Sequence, residues 1–121
     1  MGNRWLAPVA ALAFAAPAAA HHSFAMFDMT KTVTVNGTIV EFKWTNPHAW
    51  MHVDIADPAG KVSTWAIEMT SPNNLVRSGW RRSSLKPGDK VSVQIHPLRN
   101  GKMGGSLVQV TLPGGQVLKN S

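Results

Sequence analysis

Apolar and polar residues alternate over several short stretches of the chain, with the period of half-buried β-strands. Thr32 to Trp44 is one long β-rich run that changes parity within itself. Val33 and Val35 lie on one parity, and Val40, Phe42 and Trp44 on the other. Asn36-Gly37 interrupts the run, and a parity change across a glycine predicts a bulge or sharp coil. Asn46-Pro47 marks a turn. From Ala49 to Ala56, Met51, Val53 and Ile55 alternate with Trp50, His52 and Asp54, which predicts a second strand. Asp57-Pro58-Ala59-Gly60 reads as a hairpin loop. Lys61 to Met69 then forms a third strand, with Trp65, Ile67 and Met69 on one face and Thr64, Ala66 and Glu68 on the other.

Ser71-Pro72 predicts a helix start, with serine as N-cap and proline at the first helical position. The helix is short, running through Leu75 and Val76, and Gly79 ends it. Lys86-Pro87-Gly88-Asp89 is a turn. Val91, Val93 and Ile95 alternate with Ser92, Gln94 and His96 in a fourth strand. Arg99-Asn100-Gly101 and Gly104-Gly105 bracket a loop, Val108, Val110 and Leu112 give a fifth strand, and Gln116 to Leu118 adds a short last one. Three strands, a short helix and two more strands, with the first strand coiled, predict an all-β fold with one short helix. The layout is that of a small Greek-key OB-like barrel of five or six strands. A generic six-stranded barrel or sandwich fits nearly as well.

The chain begins differently. Arg4 precedes an apolar, alanine-rich stretch, Leu6 to Ala16, that is too short to span a bilayer. Ala18-x-Ala20 fits the small-residue rule for cleavage before His21, and cuts after Ala18 or Ala19 also fit. The expected organisation is a signal peptide over residues 1–20, an N-terminal segment over 21–30, the barrel over 31–118 and a tail over 119–121. The expected location is the periplasm or the medium. The chain has no cysteine, which excludes disulfides, zinc–cysteine sites and lipid attachment at an N-terminal cysteine. Its net charge of +6 falls by one when Arg4 is removed, and a positive balance favours anionic partners. Export makes nucleic acid an improbable one. No second apolar run reads as a membrane span.

Several short motifs occur in order: His21-His22-Ser23-Phe24, Asn46-Pro47-His48, Trp65-x-x-Glu68, Leu75 with Ser78-Gly79-Trp80, and Pro87-Gly88-Asp89. On these the chain resembles a family of small exported bacterial proteins whose domain has no known function. The resemblance covers essentially all of the mature chain. It implies an exported small β domain and assigns no catalytic or binding residue.

Candidate chemistry therefore comes from the residues. There are five histidines and no tyrosine. Cleavage before His21 leaves an α-amine and an imidazole on one residue, a copper-brace arrangement that needs a third nitrogen. Cleavage after Ala18 or Ala19 leaves histidine third in the chain, where amine, amides and imidazole fit square-planar Cu(II) or Ni(II). His22 stands beside it. His48, after the Asn46-Pro47 turn, is the internal histidine best placed to join. Centring the hairpin on Ala59 puts Glu68 beside Trp50 and His52, so Glu68 is a ligand or an orienting carboxylate, and His52 a secondary candidate. His96, before Pro97 at a strand end, reads as structural or solvated. Met26 and Met29 carry thioethers that suit Cu(I), while Met51 and Met69 lie on core faces.

A second cluster is cationic: Arg77, Arg81, Arg82 and Lys86 around the helix end, with Trp80 as an aromatic platform. Cations there also complement the helix dipole. No nucleophile–base pair and no serine elbow is visible, so the expectation is a binding or accessory protein and not an enzyme. The leading reading is Cu(II) binding through His21 with His22 or His48 and support from Glu68. The alternative is a metal-free periplasmic module that docks a partner protein or polyanion through the basic and tryptophan patch.

Overall fold

One strand organises the sheet. β1 (Val33–Lys43) pairs antiparallel with β4 (Lys90–Pro97) along its first half, Val33↔Ile95 to Thr38↔Lys90. Its second half pairs with β2 (Trp50–Ala56), from Thr38↔Asp54 to Lys43↔Trp50. This computed structural model describes Gly2 and residues 24–121, so the expected signal peptide and its cleavage site, His21 and His22 lie outside the described residues. β2 continues into a hairpin with β3 (Val62–Glu68), and β4 into one with β5 (Gly104–Thr111). A parallel pairing of β3 with β5, Ala66↔Gly104 to Glu68↔Ser106, closes the five strands into a barrel. The short β6 (Val117–Lys119) adds to the free edge of β5. The result is the OB-like Greek-key barrel that the strand pattern predicts.

The parity change in β1 falls three residues later than Gly37. The register shifts between Ile39↔Val53 and Glu41↔His52, so Val40 is the extra, outward-facing residue. Val35, Gly37 and Ile39 all keep the inward parity. Gly37 serves a different purpose, because a Cβ there would overlap the Asp54 carbonyl oxygen. Without one, β1 can coil tightly across β2 as it passes from one partner to the other.

Gly104-Gly105 also departs from expectation. The pair opens β5 and is not part of the loop. A Cβ on Gly104 would sit 2.6 Å from the Ala66 carbonyl oxygen, and one on Gly105 2.5 Å from that of His96. Only backbone without side chains fits between β3 and β4, so the glycines mark close approach and not a turn.

The core is the inward set predicted from alternation: Met51, Val53, Ile67, Met69, Val91, Val93, Ile95 and Val110, joined by Ile39 and Leu107. The short α-helix α1 (Pro72–Arg77) adds Leu75 to it. At six residues it is too short to persist alone. Its caps and packing hold it. The Ser71 side chain accepts from the Asn74 backbone N–H, Pro72 starts the first turn, and Gly79, at φ 91°, leads the chain out. Trp80 and Leu85 follow into the core. Trp80 Nε1 donates to the Lys119 carbonyl at 2.8 Å, and the Thr70 N–H donates to the Asn120 side chain at 2.7 Å. The C-terminal residues thereby tie β6 to both ends of the helical segment. Among the described residues, no helix is long and apolar enough to cross a membrane.

Candidate functional site

The outward face of β1, β2 and β3 carries most of the polar chemistry. Ladder pairing sets its grid. Lys43, Trp50 and Glu68 lie in one row across the three strands, and Glu41, His52 and Ala66 in the next. The hairpin register is the one the Ala59-centred turn predicts, with Trp50 opposite Glu68 and His52 opposite Ala66.

Glu68 nevertheless reaches past Trp50 to the preceding loop. Its Oε1 lies 2.5 Å from His48 Nδ1. The loop makes this contact by lying flat against the end of β3: the Ala49 N–H donates to the Thr70 carbonyl, and the Met69 N–H to the Ala49 carbonyl. The Asn46–Pro47 peptide is cis, and Thr45 Oγ1 donates to the His48 carbonyl. An ionised carboxylate only accepts, so the ring donates from Nδ1 and leaves Nε2 as its free nitrogen. A carboxylate-oriented imidazole of this kind is how many metal-binding histidines are held.

His52 finds a different carboxylate. Glu41, on β1, places Oε2 at 3.5 Å from His52 Nδ1, which is ion-pair distance. The contact is not a hydrogen bond, and that nitrogen is buried without a hydrogen-bond partner. His48 with Glu68, and His52 with Glu41, are thus two separate pairs flanking Trp50. Among the described residues no group of three or more His, Asp or Glu side chains converges on a point that could hold a metal. His96 is structural, as expected. Its Nδ1 donates to the Lys31 carbonyl at 2.7 Å.

The cationic cluster lies around α1 and the loop that follows it. Arg77, Arg81, Arg82 and Lys86 are all exposed. Arg77 donates to the Asn74 side chain, and Lys86 pairs with Asp89 at 3.8 Å. Arg81 and Arg82 sit on a closed turn. The Arg81 N–H donates to Ser84 Oγ at 2.8 Å, and the Ser84 N–H returns to the Arg81 carbonyl at 2.9 Å. Among the described residues neither of these two guanidinium groups forms an ion pair.

Trp80 is not a surface platform. It is 1% exposed and packs against Phe42, whose ring in turn meets Trp44 edge-on at 5.7 Å. Its position after the helix-ending glycine turns the indole inward, where Lys119 satisfies Nε1. Phe42 and Trp44 are the half-buried members of that aromatic cluster.

Two participants escaped the sequence reading. Glu41 was hidden by the register shift at Val40, which moves it opposite His52. Lys43 joins Trp50's row for the same reason. A correct bulge position was the signal that would have found both.

Comparison with known proteins gives one match. Residues 9–108 fit a family described as a family of unknown function, DUF6152. No curated protein and no solved structure matches the chain.

Proposed function

The chain belongs to the DUF6152 family, whose function is unknown, and from that premise we propose an exported interaction module that docks an anionic partner through the surface around Arg81 and Arg82. The observation that carries this reading is the pair itself. Two adjacent guanidinium groups stand exposed, without carboxylate partners, on a turn closed by two hydrogen bonds. Trp80 pins the turn from below through the core. A fixed frame lowers the ordering cost of binding, and guanidinium forks match carboxylate, phosphate and sulfate oxygens. Arg77, Lys86 and the exposed Lys119, whose carbonyl holds Trp80, extend the positive field. The role is binding and not catalysis.

Retention on immobilised heparin in a salt gradient tests it. Arg81→Glu with Arg82→Glu should elute at clearly lower salt than the parent protein. Lys61→Glu with Lys90→Glu changes net charge equally at exposed sites elsewhere and should shift elution much less. Equal shifts for the two pairs would reduce the effect to net charge and end the proposal.

A second reading rests on the His48–Glu68 pair. An imidazole oriented from Nδ1, with Nε2 free, supports Cu(II) binding shared with the mature N-terminal histidines His21 and His22. The mass of the processed N-terminus and a Cu(II) titration against a competing chelator test this reading. His48→Ala should weaken binding beyond that of a free peptide end, and so should one residue added ahead of His21. Unchanged affinity in both removes it.

A further inference from the structure

Exposed apolar side chains are unevenly spread over the described surface. Met26, Met29, Val33 and Met103 are 43%, 42%, 38% and 54% exposed, and the chain brings all four to the end of β4. The Phe27 backbone bridges Leu98, with the Phe27 ring buried as a peg. The Asp28 N–H donates to the Pro97 carbonyl at 2.8 Å, and the Arg99 N–H to the Met26 carbonyl at 2.9 Å. Leu98 donates to the carbonyl of Gly104, the residue after Met103. Val33 lies opposite Ile95. His96 holds the Lys31 carbonyl. Backbone contacts therefore fix the whole patch in place, although its side chains face outward.

Its chemistry is mixed. Met51 and Met69 are buried in the core, so the surface methionines are not overflow from packing. Methionine is unbranched and adaptable, which suits an apolar partner without a fixed shape. Lys31, Arg99 and Lys102 are exposed among the thioethers. The one carboxylate, Asp28, is already engaged by Lys31 at 3.7 Å and by Thr30. Apolar tips between cations match the boundary of an anionic bilayer, where side chains enter the acyl layer and cations meet headgroup phosphates. A soluble polyanion would use the cations and leave the four apolar groups in water. The chain also enters the fold at Phe24–Met26, on this patch. We infer that this end of the barrel, through Met26, Met29 and Met103 with Lys31, Arg99 and Lys102, docks the protein on anionic lipid. Val33 begins β1, whereas Phe42, near the far end of β1, touches Trp80. The lipid surface is therefore separate from the Arg81–Arg82 turn and does not rest on the function proposed for it.

Sedimentation of the exported protein with vesicles tests this. Phosphatidylcholine vesicles containing about one-third phosphatidylglycerol should bind it roughly tenfold more tightly than phosphatidylcholine alone. Met26→Ser with Met103→Ser, both at exposed positions, should weaken that binding about tenfold while leaving heparin retention unchanged. Lys102→Glu should weaken it in the same direction. Arg81→Glu with Arg82→Glu should leave vesicle binding intact. The inference is overturned if the protein does not sediment with anionic vesicles. It is equally overturned if the methionine variant binds them like the parent, or if the arginine variant alone loses them. A parent protein that binds anionic vesicles but is not retained on heparin would count only against the arginine turn.

Discussion

His48 and Glu68 stand twenty positions apart in the chain, yet their side chains meet at 2.5 Å, Nδ1 to Oε1. The contact joins the β1–β2 loop to the end of β3 without passing through the core. Half of the His48 side chain is in solvent, so the pair is worth little in free energy. A double-mutant cycle with His48→Ala and Glu68→Gln, followed by urea unfolding, should give a coupling of about 0.2–1 kcal/mol. A coupling of several kcal/mol would mean that the pair is shielded from water.

The glycines of β5 should be far less tolerant. Gly104→Ala and Gly105→Ala each place a methyl group against a carbonyl oxygen, at 2.6 and 2.5 Å. Neither oxygen belongs to a side chain that can swing aside. Each change should cost about 1–3 kcal/mol or more by urea unfolding. Gly114→Ala meets nothing within 4 Å and has no positive φ, so it serves as the control.

Trp80 separates packing from hydrogen bonding. Trp80→Phe keeps most of the ring but loses the bond to the Lys119 carbonyl, at a cost of about 1–3 kcal/mol for the group left unpaired. Trp80→Ala should cost about 3–5 kcal/mol. Hydrogen exchange adds a specific readout. In Trp80→Phe the β6 amides should lose protection before those of β1 and β2. Uniform loss across the barrel would show that β6 is not held by this bond.

Acid should loosen the N-terminal segment. The Thr30 hydroxyl and backbone N–H, and then the nearby Lys31 and Arg99 charges, hold the Asp28 carboxyl below the ordinary aspartate value of 3.8. A lowered folded value means that the carboxylate stabilises the fold above the unfolded value, and that this is lost as pH falls through the folded one. Chemical shifts of residues 26–31 should therefore move below about pH 4 in the parent protein. In Asp28→Asn they should not. A midpoint at or above the ordinary value would contradict the assignment.

Much of this architecture was legible in the residues because strand alternation is local. Met51/Val53/Ile55 against Trp50/His52/Asp54 fixed both the strand and its inward face. Ser71-Pro72 located the helix start to the residue. The remainder depended on partners distant in sequence. Gly104-Gly105 resembles a loop by composition, and only the position of Ala66 and His96 shows why side chains are excluded there. The parity break in β1 was visible, but its placement at Val40 is decided by β2. At the candidate sites, Trp80 was misread as surface because it sits between a helix-ending glycine and two arginines. The buried pull of Phe42, on another strand, is invisible in that stretch. Clusters assembled from separate segments, such as Glu41 with His52, cannot be read from spacing alone.

The parallel seam between β3 and β5 has a consequence for how this barrel can change. Two of its three paired β5 positions carry no side chain, so closure is decided by main-chain geometry and not by a choice among residues. Substitutions on the outward face of β1–β2–β3, on the arginine turn or on the methionine end leave that closure untouched. The scaffold and its surfaces are thus open to selection as nearly independent traits. Different binding preferences can arise on one unaltered barrel, provided that two glycines stay where they are.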